Sequence, residues 1–416
     1  MCGQVIEGVK ASKVFNSRGS PTIEVEVSTK NSSGRAEAPS GASTGLHEVA
    51  SYPKGGVDEA IKLVENLVAP KLVGLDVEKQ EDIDKLLHEI DGTASFRRIG
   101  GNTAIAISLA VGKAAASSRN IPFFQYLSKN KPVTLPHPLG NVLGGGKHAG
   151  GKAPDIQEFL ALPVEVSSFS EAAWANIRVH MKVRELLEKA DVTFTGGKGD
   201  EGAWAPNLDN DKALEIVAKA AEDVSKELGV EVRVGLDVAS SSLWDGRGFY
   251  VYNRESVKRT PGEQADYVLN LIKTYKLVYV EDPLQEEDFV GFAEITKSVK
   301  SCLICGDDIF TTNPERLRKG IKLKAGNAII IKPNQIGTLT ETLEATKMAN
   351  DAGYVSVASH RSGETCDPYL AHLAVGFNCP IINVGVVGGE RLAKINELLR
   401  IEKLLGKKAK IAELKI

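Results

Sequence analysis

From residue 230 onward, short apolar runs alternate with longer stretches in which apolar residues recur every three or four positions. The runs are VRVGLD, LVYVED, CLICGDD, AIIIKPN, YVSVASH and PIINVG. Between them lie PGEQADYVLNLIKTYK, DFVGFAEITKSVK, NPERLRKGIKLK, LTETLEATKMANDAG and DPYLAHLAVGF, and GERLAKINELLRIEKLLG closes the series. This periodicity predicts strands and amphipathic helices in alternation. Such alternation implies parallel strands buried on both faces. Six units, with more strand and helix upstream, fit a closed eight-stranded α/β barrel. A doubly wound open sheet is the alternative. No glycine-rich dinucleotide fingerprint follows an early strand, which disfavours it.

The first 130 residues read differently. PTIEVEVST alternates apolar and polar residues, as a half-buried strand does. VDEAIKLVENLVAPKLVG and EKQEDIDKLLHEID predict helices, and NTAIAISLAVGKAAASS is apolar nearly all round, the pattern of a buried helix. The proline cluster KNKPVTLPHPLG marks a domain boundary. The expected organisation is a smaller α+β domain over 1–132 and the barrel over 133–416.

Composition narrows the function class. A chain of 416 residues with 42% hydrophobic and 25% charged residues is that of a soluble globular protein. A formal net charge of −3 gives no ground for nucleic-acid or membrane-surface binding. MCGQVIEGVKASKVF lacks the basic and apolar regions of a secretory signal, and no apolar run is long enough to span a bilayer. A cytoplasmic location is expected. Five cysteines in so long a chain are no disulfide framework. Cys302 and Cys305 have CxxC spacing but fall in a strand-like run, which predicts buried thiols rather than a zinc or redox pair.

The candidate chemistry lies at the ends of the apolar runs. Asp237, Glu281, Asp307, Lys332 and His360 stand at successive strand C-termini. In a barrel these ends converge on one mouth. A lone Asp after a strand is ordinarily a turn or cap; three carboxylates in register, followed by Lys and His in the same register, are better explained as a site. Three converging carboxylates repel unless a cation sits between them, and oxygen ligands favour a hard ion such as Mg²⁺. Lys332 interrupts an apolar strand and is expected to face that ion, which would lower its pKa and make it a base. Metal plus base suggests removal of a proton next to a carboxylate. Upstream, PSGASTG (39–45) has the composition of a mobile lid. GGGKHAGG (144–151) carries His148, DIQEF carries Glu158, and KGDEG brackets Glu201 with glycines.

Together these segments resemble the enolase family across almost the whole chain. The matching stretches are NSRGSPTIEVEV, PSGASTGLHE, HAGGKAPDIQEF, GDEGAWAPN, GLDVASS, VEDP, GDDIFTTNP, IKPNQIGTL, SHRSGET and GERLAKINELLRIE. The resemblance implies a hydro-lyase that reversibly dehydrates 2-phosphoglycerate to phosphoenolpyruvate in glycolysis. It implies Asp237, Glu281 and Asp307 as ligands of a first Mg²⁺ and Ser43 as a ligand of a second. Lys332 is the implied base, and Glu201, with Glu158 beside it, the implied acid. His148, Gln157, Glu158, His360, Arg361 and Ser362 are the implied substrate contacts, Arg361 suiting a phosphate because its planar fork pairs with oxyanions. A barrel opening with two strands and two helices is implied, as is a homodimer or octamer.

The chain departs from the family pattern in places. Asn383, also an expected substrate contact, stands in PIINVG where the family carries a lysine. That removes one positive charge from the developing anion and from the surroundings of Lys332. Lys147 and Lys198 are the candidates to replace it. Asn16 and Ser20 replace an Asp and an Asn, Ala203 and Trp204 alter the GDEG run, and the segment after His47 is shortened. Two alternatives follow: a paralogue acting on another small phosphorylated or carboxylated acid, and a weakly active binding protein.

Overall fold

The computed structural model describes residues 4–42, 44–414 and 416. Ser43, expected at a second metal, lies outside them. An antiparallel sheet comes first, formed by β1 (Ile6–Phe15), β2 (Pro21–Thr29) and β3 (Ser33–Glu37). The alternation in PTIEVEVST is that of β2: Ile23, Val25 and Val27 are buried and the intervening glutamates are not.

Helix Gly101–Ser118 packs its small apolar residues against this sheet. It is buried nearly all round because its other side meets the barrel. Ser108 Oγ accepts the backbone N–H of Leu339 at 3.0 Å, and Asn102 Oδ1 accepts from Asn334 Nδ2 at 3.1 Å. The expected fully buried helix is thus the seam between two domains.

The barrel strands are β4 (His137–Gly144), β5 (Glu158–Glu165) and β6 (Glu231–Asp237); after a hairpin of β7 (Tyr250–Tyr252) and β8 (Val257–Arg259) come β9 (Tyr279–Glu281), β10 (Leu303–Gly306), β11 (Ala328–Ile331), β12 (Val355–Ser359) and β13 (Ile381–Asn383). They close in the order β4-β5-β6-β9-β10-β11-β12-β13 and back to β4. The open sheet is therefore excluded. β5 alone runs antiparallel to its neighbours, because no helix crosses over between β4 and β5. Helices Phe169–Ala190 and Asn210–Leu228 then both separate β5 from β6. One helix climbs and the next descends, so the connection between them, which holds Glu201, reaches the same rim as the C-termini of the parallel strands. Polar caps fix the helix starts: Ser168, Asp209, Asp288, Asn313 and Thr338 each accept a first-turn backbone N–H, and Thr260 forms a reciprocal capping box with Glu263.

The barrel interior is a core of its own, including Leu139, Leu160, Leu162, Tyr279, Leu303, Cys305, Ala328, Ile330, Val357 and Ile381. Their neighbours along each strand, such as Leu236, Val280, Ile304, Ile329, Ile331 and Ala358, face the helices. This phase decides what points into the mouth. Stepping by two from the interior positions reaches Glu158, Glu281, Asp307, Lys332 and Asn383. Cys302 and Cys305 are buried free thiols, and burial pushes Cys302 up to about 12. No helix among the described residues is long and apolar enough to cross a membrane.

Gly34 in β3 marks where the sheet touches the central helix most closely. A Cβ there would collide with the backbone oxygen of Ala110 and nitrogen of Ala114. Gly34→Ala is therefore expected to destabilise the protein by about 1–3 kcal/mol through overpacking. Denaturant unfolding measures this, and an unchanged midpoint would mean that the helix has room to retreat.

Candidate active site

The barrel mouth holds a cavity lined mainly by charged and polar side chains. Glu158, Asp237 and Glu281 sit on one rung of three adjacent strands, since Glu158 pairs with Asp237 and Asp237 with Glu281. Glu158 begins its strand whereas the other two end theirs, as the antiparallel direction of β5 requires. Asp307 follows β10 directly and Lys332 follows β11. Asn383 closes the ring, in register with Ser359 on one side and Leu139 on the other. His148, Gln157, Glu201, His360, Arg361 and Ser362 also line the cavity, as does Gly41 from the N-terminal domain. Every site residue expected from the sequence, Ser43 apart, therefore reaches this one cavity.

Each carboxylate has a protein partner. Gln157 Nε2 donates to Asp237 Oδ2 at 2.9 Å, and Tyr279 donates its hydroxyl to Glu281 at 2.6 Å. The Lys332 ammonium pairs with Asp307 Oδ2, while Gln335 donates to the other oxygen at 2.8 Å. Two acids that the sequence reading passed over join them. Asp282 accepts the backbone N–H groups of Asp307 and Asp308 at 3.0 and 2.8 Å, and Asp308 lines the cavity. The signal was present as the doubled acids of VEDP and GDD.

Such crowding shifts the acids strongly. Burial, with the charge of Asp307, pushes Asp237 up to about 7 although Lys332 and Gln157 oppose it. Burial and then Asp307 push Asp308 to about 8. Glu281 rises well above the carboxylate range through burial and through Asp237 and Asp307. Burial pulls the Lys332 ammonium down, but Asp307 and Glu281 outweigh burial and hold it above the usual lysine value. The expected decrease belongs to a Lys332 that faces a bound cation; its protein contacts alone are anions, which hold the proton on it.

Across the cavity stands a second group. Ligand atoms of His148, Glu158 and Glu201 lie within 4.8 Å of one another. His148 Nδ1 is 3.4 Å from Glu158 and 3.9 Å from Glu201, and His360 Nε2 is 3.3 Å from Glu201. Asn141 Nδ2 donates to Glu201 at 3.0 Å. Burial and the facing Glu201 raise Glu158. Burial would raise Glu201 as well, but the adjacent imidazoles of His360 and His148 keep it below its ordinary value. The environment thus favours the protonated form of Glu158 and the ionised form of Glu201.

Which groups could hold a metal follows from the donor set. Oxygens of Asp282, Asp307 and Asp308 lie within 4.8 Å of one another. Asp237, Glu281 and Asp307 do not gather that closely; Tyr279 bonds Glu281, and Lys332 pairs with Asp307. All these donors are hard oxygens on one cavity wall, burdened by mutual repulsion, which suits a hard divalent cation.

The N-terminal domain covers the mouth. Ser40 and Gly363 exchange two backbone hydrogen bonds of 2.8 Å, and Ala42 N donates to Ser362 Oγ at 2.6 Å. Glu48 receives both terminal nitrogens of Arg361 at 3.0–3.1 Å, and Asn334 Oδ1 accepts from the same guanidinium at 2.9 Å. Lys147 and Lys198 do not line the cavity. Lys147 is exposed, and Lys198 lies over the ring of Trp204 with its ammonium 4.7 Å from the centroid. Neither supplies charge at Asn383. The amide of Asn383 is buried, with Oδ1 lacking a hydrogen-bond partner among the described residues.

Comparison with known proteins supports the same assignment. Residues 6–127 match the family described as "Enolase, N-terminal domain", and residues 132–416 match "Enolase, C-terminal TIM barrel domain". Among similar curated proteins, the enolase of Methanosphaera stadtmanae is 57% identical over 403 residues, covering 96% of this chain and 97% of its own. That of Methanothermobacter thermautotrophicus is 55% identical over 400 residues, with 96% of each chain covered. That of Pyrobaculum aerophilum is 50% identical over 410 residues, covering 97% and 98%.

Glu48 and Arg361 form a buried pair between the two domains, with side chains 7% and 3% exposed. Removing the carboxylate with Glu48→Ala is expected to cost about 3–5 kcal/mol, because the guanidinium stays buried. Equilibrium unfolding reads the loss. A cost below about 1 kcal/mol would place this pair with solvent-exposed ones.

Proposed function

The chain belongs to the enolase family, and we propose that it catalyses that family's reaction, the reversible dehydration of 2-phosphoglycerate to phosphoenolpyruvate, as a hydro-lyase of glycolysis. The observation that carries this reading is the placement of Lys332 and the Glu158–Glu201 pair on opposite walls of one buried cavity. Elimination of water needs a base on one side of the substrate and an acid on the other.

In this reading Lys332 takes the proton next to the substrate carboxylate, and Glu201, with Glu158 beside it, delivers a proton to the departing hydroxyl, so that water leaves as the double bond forms. Lys332 can act only after it releases Asp307, so ligation of Asp307 and readiness of the base are linked. Asp237, Glu281 and Asp307, with Asp282 and Asp308 behind them, would hold one Mg²⁺, and Ser43 a second. Mg²⁺ would supply positive charge opposite the carboxylate on which negative charge develops. Arg361, aimed by Glu48 and Asn334, faces the phosphate, while His148, Gln157, His360 and Ser362 fix the remaining oxygens. We further propose a cytoplasmic homodimer or octamer with its domain boundary at 132/133.

Asn383 favours a second reading: a substrate acid that differs where this amide meets it. A neutral side chain with a buried unpartnered oxygen presents an acceptor on the wall, and it suits a hydroxyl better than a carboxylate.

Two measurements separate these readings. Phosphoenolpyruvate formation from 2-phosphoglycerate with Mg²⁺ should be observed in the native chain. Asn383→Lys should raise its rate, by up to about 10²–10³-fold if the missing charge limits turnover. A native chain that is silent while Asn383→Lys is active would transfer the assignment to another acid. Separately, Mg²⁺ at about one hundred times its Kd should stabilise the fold by about 2.7 kcal/mol. Chelation should remove that gain and Asp307→Asn abolish it; equal stabilisation of native and variant would exclude Asp307 as a ligand.

A further inference from the structure

Arg391 is wholly buried in helix Gly389–Leu405 and touches none of the acids at the cavity wall. Its two terminal nitrogens carry four N–H groups between them, and each meets an acceptor. One nitrogen lies 2.6 Å from the carbonyl oxygen of Arg361 and 2.7 Å from His360 Nδ1. The other lies 2.7 Å from the carbonyl of Ser362 and 3.2 Å from that of Asp200. A guanidinium only donates, and it does not lose its proton in a protein. His360 Nδ1 must therefore accept. A neutral imidazole that accepts at Nδ1 carries its hydrogen on Nε2.

That second nitrogen faces the site. His360 Nε2 is 3.3 Å from Glu201 and buried, yet it has no well-aligned hydrogen-bond partner among the described residues. Its N–H is thus left for Glu201 and for whatever oxygen enters the cavity. Protonating the ring would bring an Nδ1–H against the Arg391 N–H, so the imidazolium is opposed by geometry as well as by burial.

We propose that Arg391 is a positioning residue that locks His360 in its neutral Nε2–H tautomer, making the ring a fixed donor toward Glu201 and the substrate and barring it from relaying protons. The substrate half of this statement rests on the reading of the site given above, whereas the tautomer does not. Arg391 also ties the backbone next to Glu201, at Asp200, to the backbone of Arg361 and Ser362. It therefore sets the spacing between the acid and the substrate contacts.

The test is nitrogen NMR of the full-length protein labelled at histidine, with the His360 signals identified by their loss in His360→Gln. The native spectrum should show His360 as the Nε2–H tautomer, without titration, from about pH 5.5 to 8.5. An Nδ1–H tautomer or an imidazolium at neutral pH overturns the proposal outright, whether or not 2-phosphoglycerate proves to be the substrate. Arg391→Met should release the ring, so that it mixes tautomers or titrates within that range. Its kcat should fall by about 10²-fold, with a smaller change in KM. Arg391→Lys, which keeps one charged donor, should restore the tautomer and part of the rate. A folded Arg391→Met whose His360 spectrum matches the native one would reduce Arg391 to a structural tie. If Arg391→Met does not fold, the native spectrum and Arg391→Lys decide.

Discussion

Closure of eight strands into a barrel is the constraint from which the site follows. The strands cannot fray or slide once the sheet has no edge, and their side chains must alternate between interior and helix layer. The residue two positions past each last interior hydrophobic is therefore delivered to one rim. Glu281 follows Tyr279 in this phase, Asp307 follows Cys305, Lys332 follows Ile330 and Asn383 follows Ile381. A slip of one residue in any strand would turn its site residue toward the helices. The rigidity of the barrel is thus what holds so many acids together against their repulsion.

That repulsion organises the next layer. Asp237, Glu281, Asp282 and Asp308 are all raised by burial in one another's company. Lys332 offsets part of the charge and is itself held protonated by doing so. On the other wall burial and the facing Glu201 raise Glu158, while the two adjacent histidines hold Glu201 low. The cavity therefore has an anionic wall suited to a cation and a proton-bearing wall suited to a leaving group. The N-terminal domain completes it through Gly41, the Ser40–Gly363 pairing and the Glu48–Arg361 pair, so the small domain is part of the site rather than an appendage.

Arg391 extends this logic beyond the cavity. A guanidinium with no freedom of protonation dictates the state of the imidazole it touches, and that imidazole faces the acid. Protonation at the centre is thereby tied to helix Gly389–Leu405, outside the cavity wall.

Much of this was legible in the chain itself. Short apolar runs alternating with helical stretches pointed to the barrel, and acids, a lysine and a histidine at the run ends pointed to its mouth, because these patterns depend only on local geometry. Glu201 and Glu158 were legible as residues, and only the family resemblance set them side by side. Their meeting depends on β5 running backward and on two successive helices returning the chain to the same rim. The grip of Glu48 on Arg361 and that of Arg391 on His360 join residues far apart in the chain, with no periodicity to announce them. Lys147 and Lys198, the candidates to replace the missing lysine, do not line the cavity. Charge effects depend on which groups end up within a few ångströms in a buried space, and only the folded chain decides that.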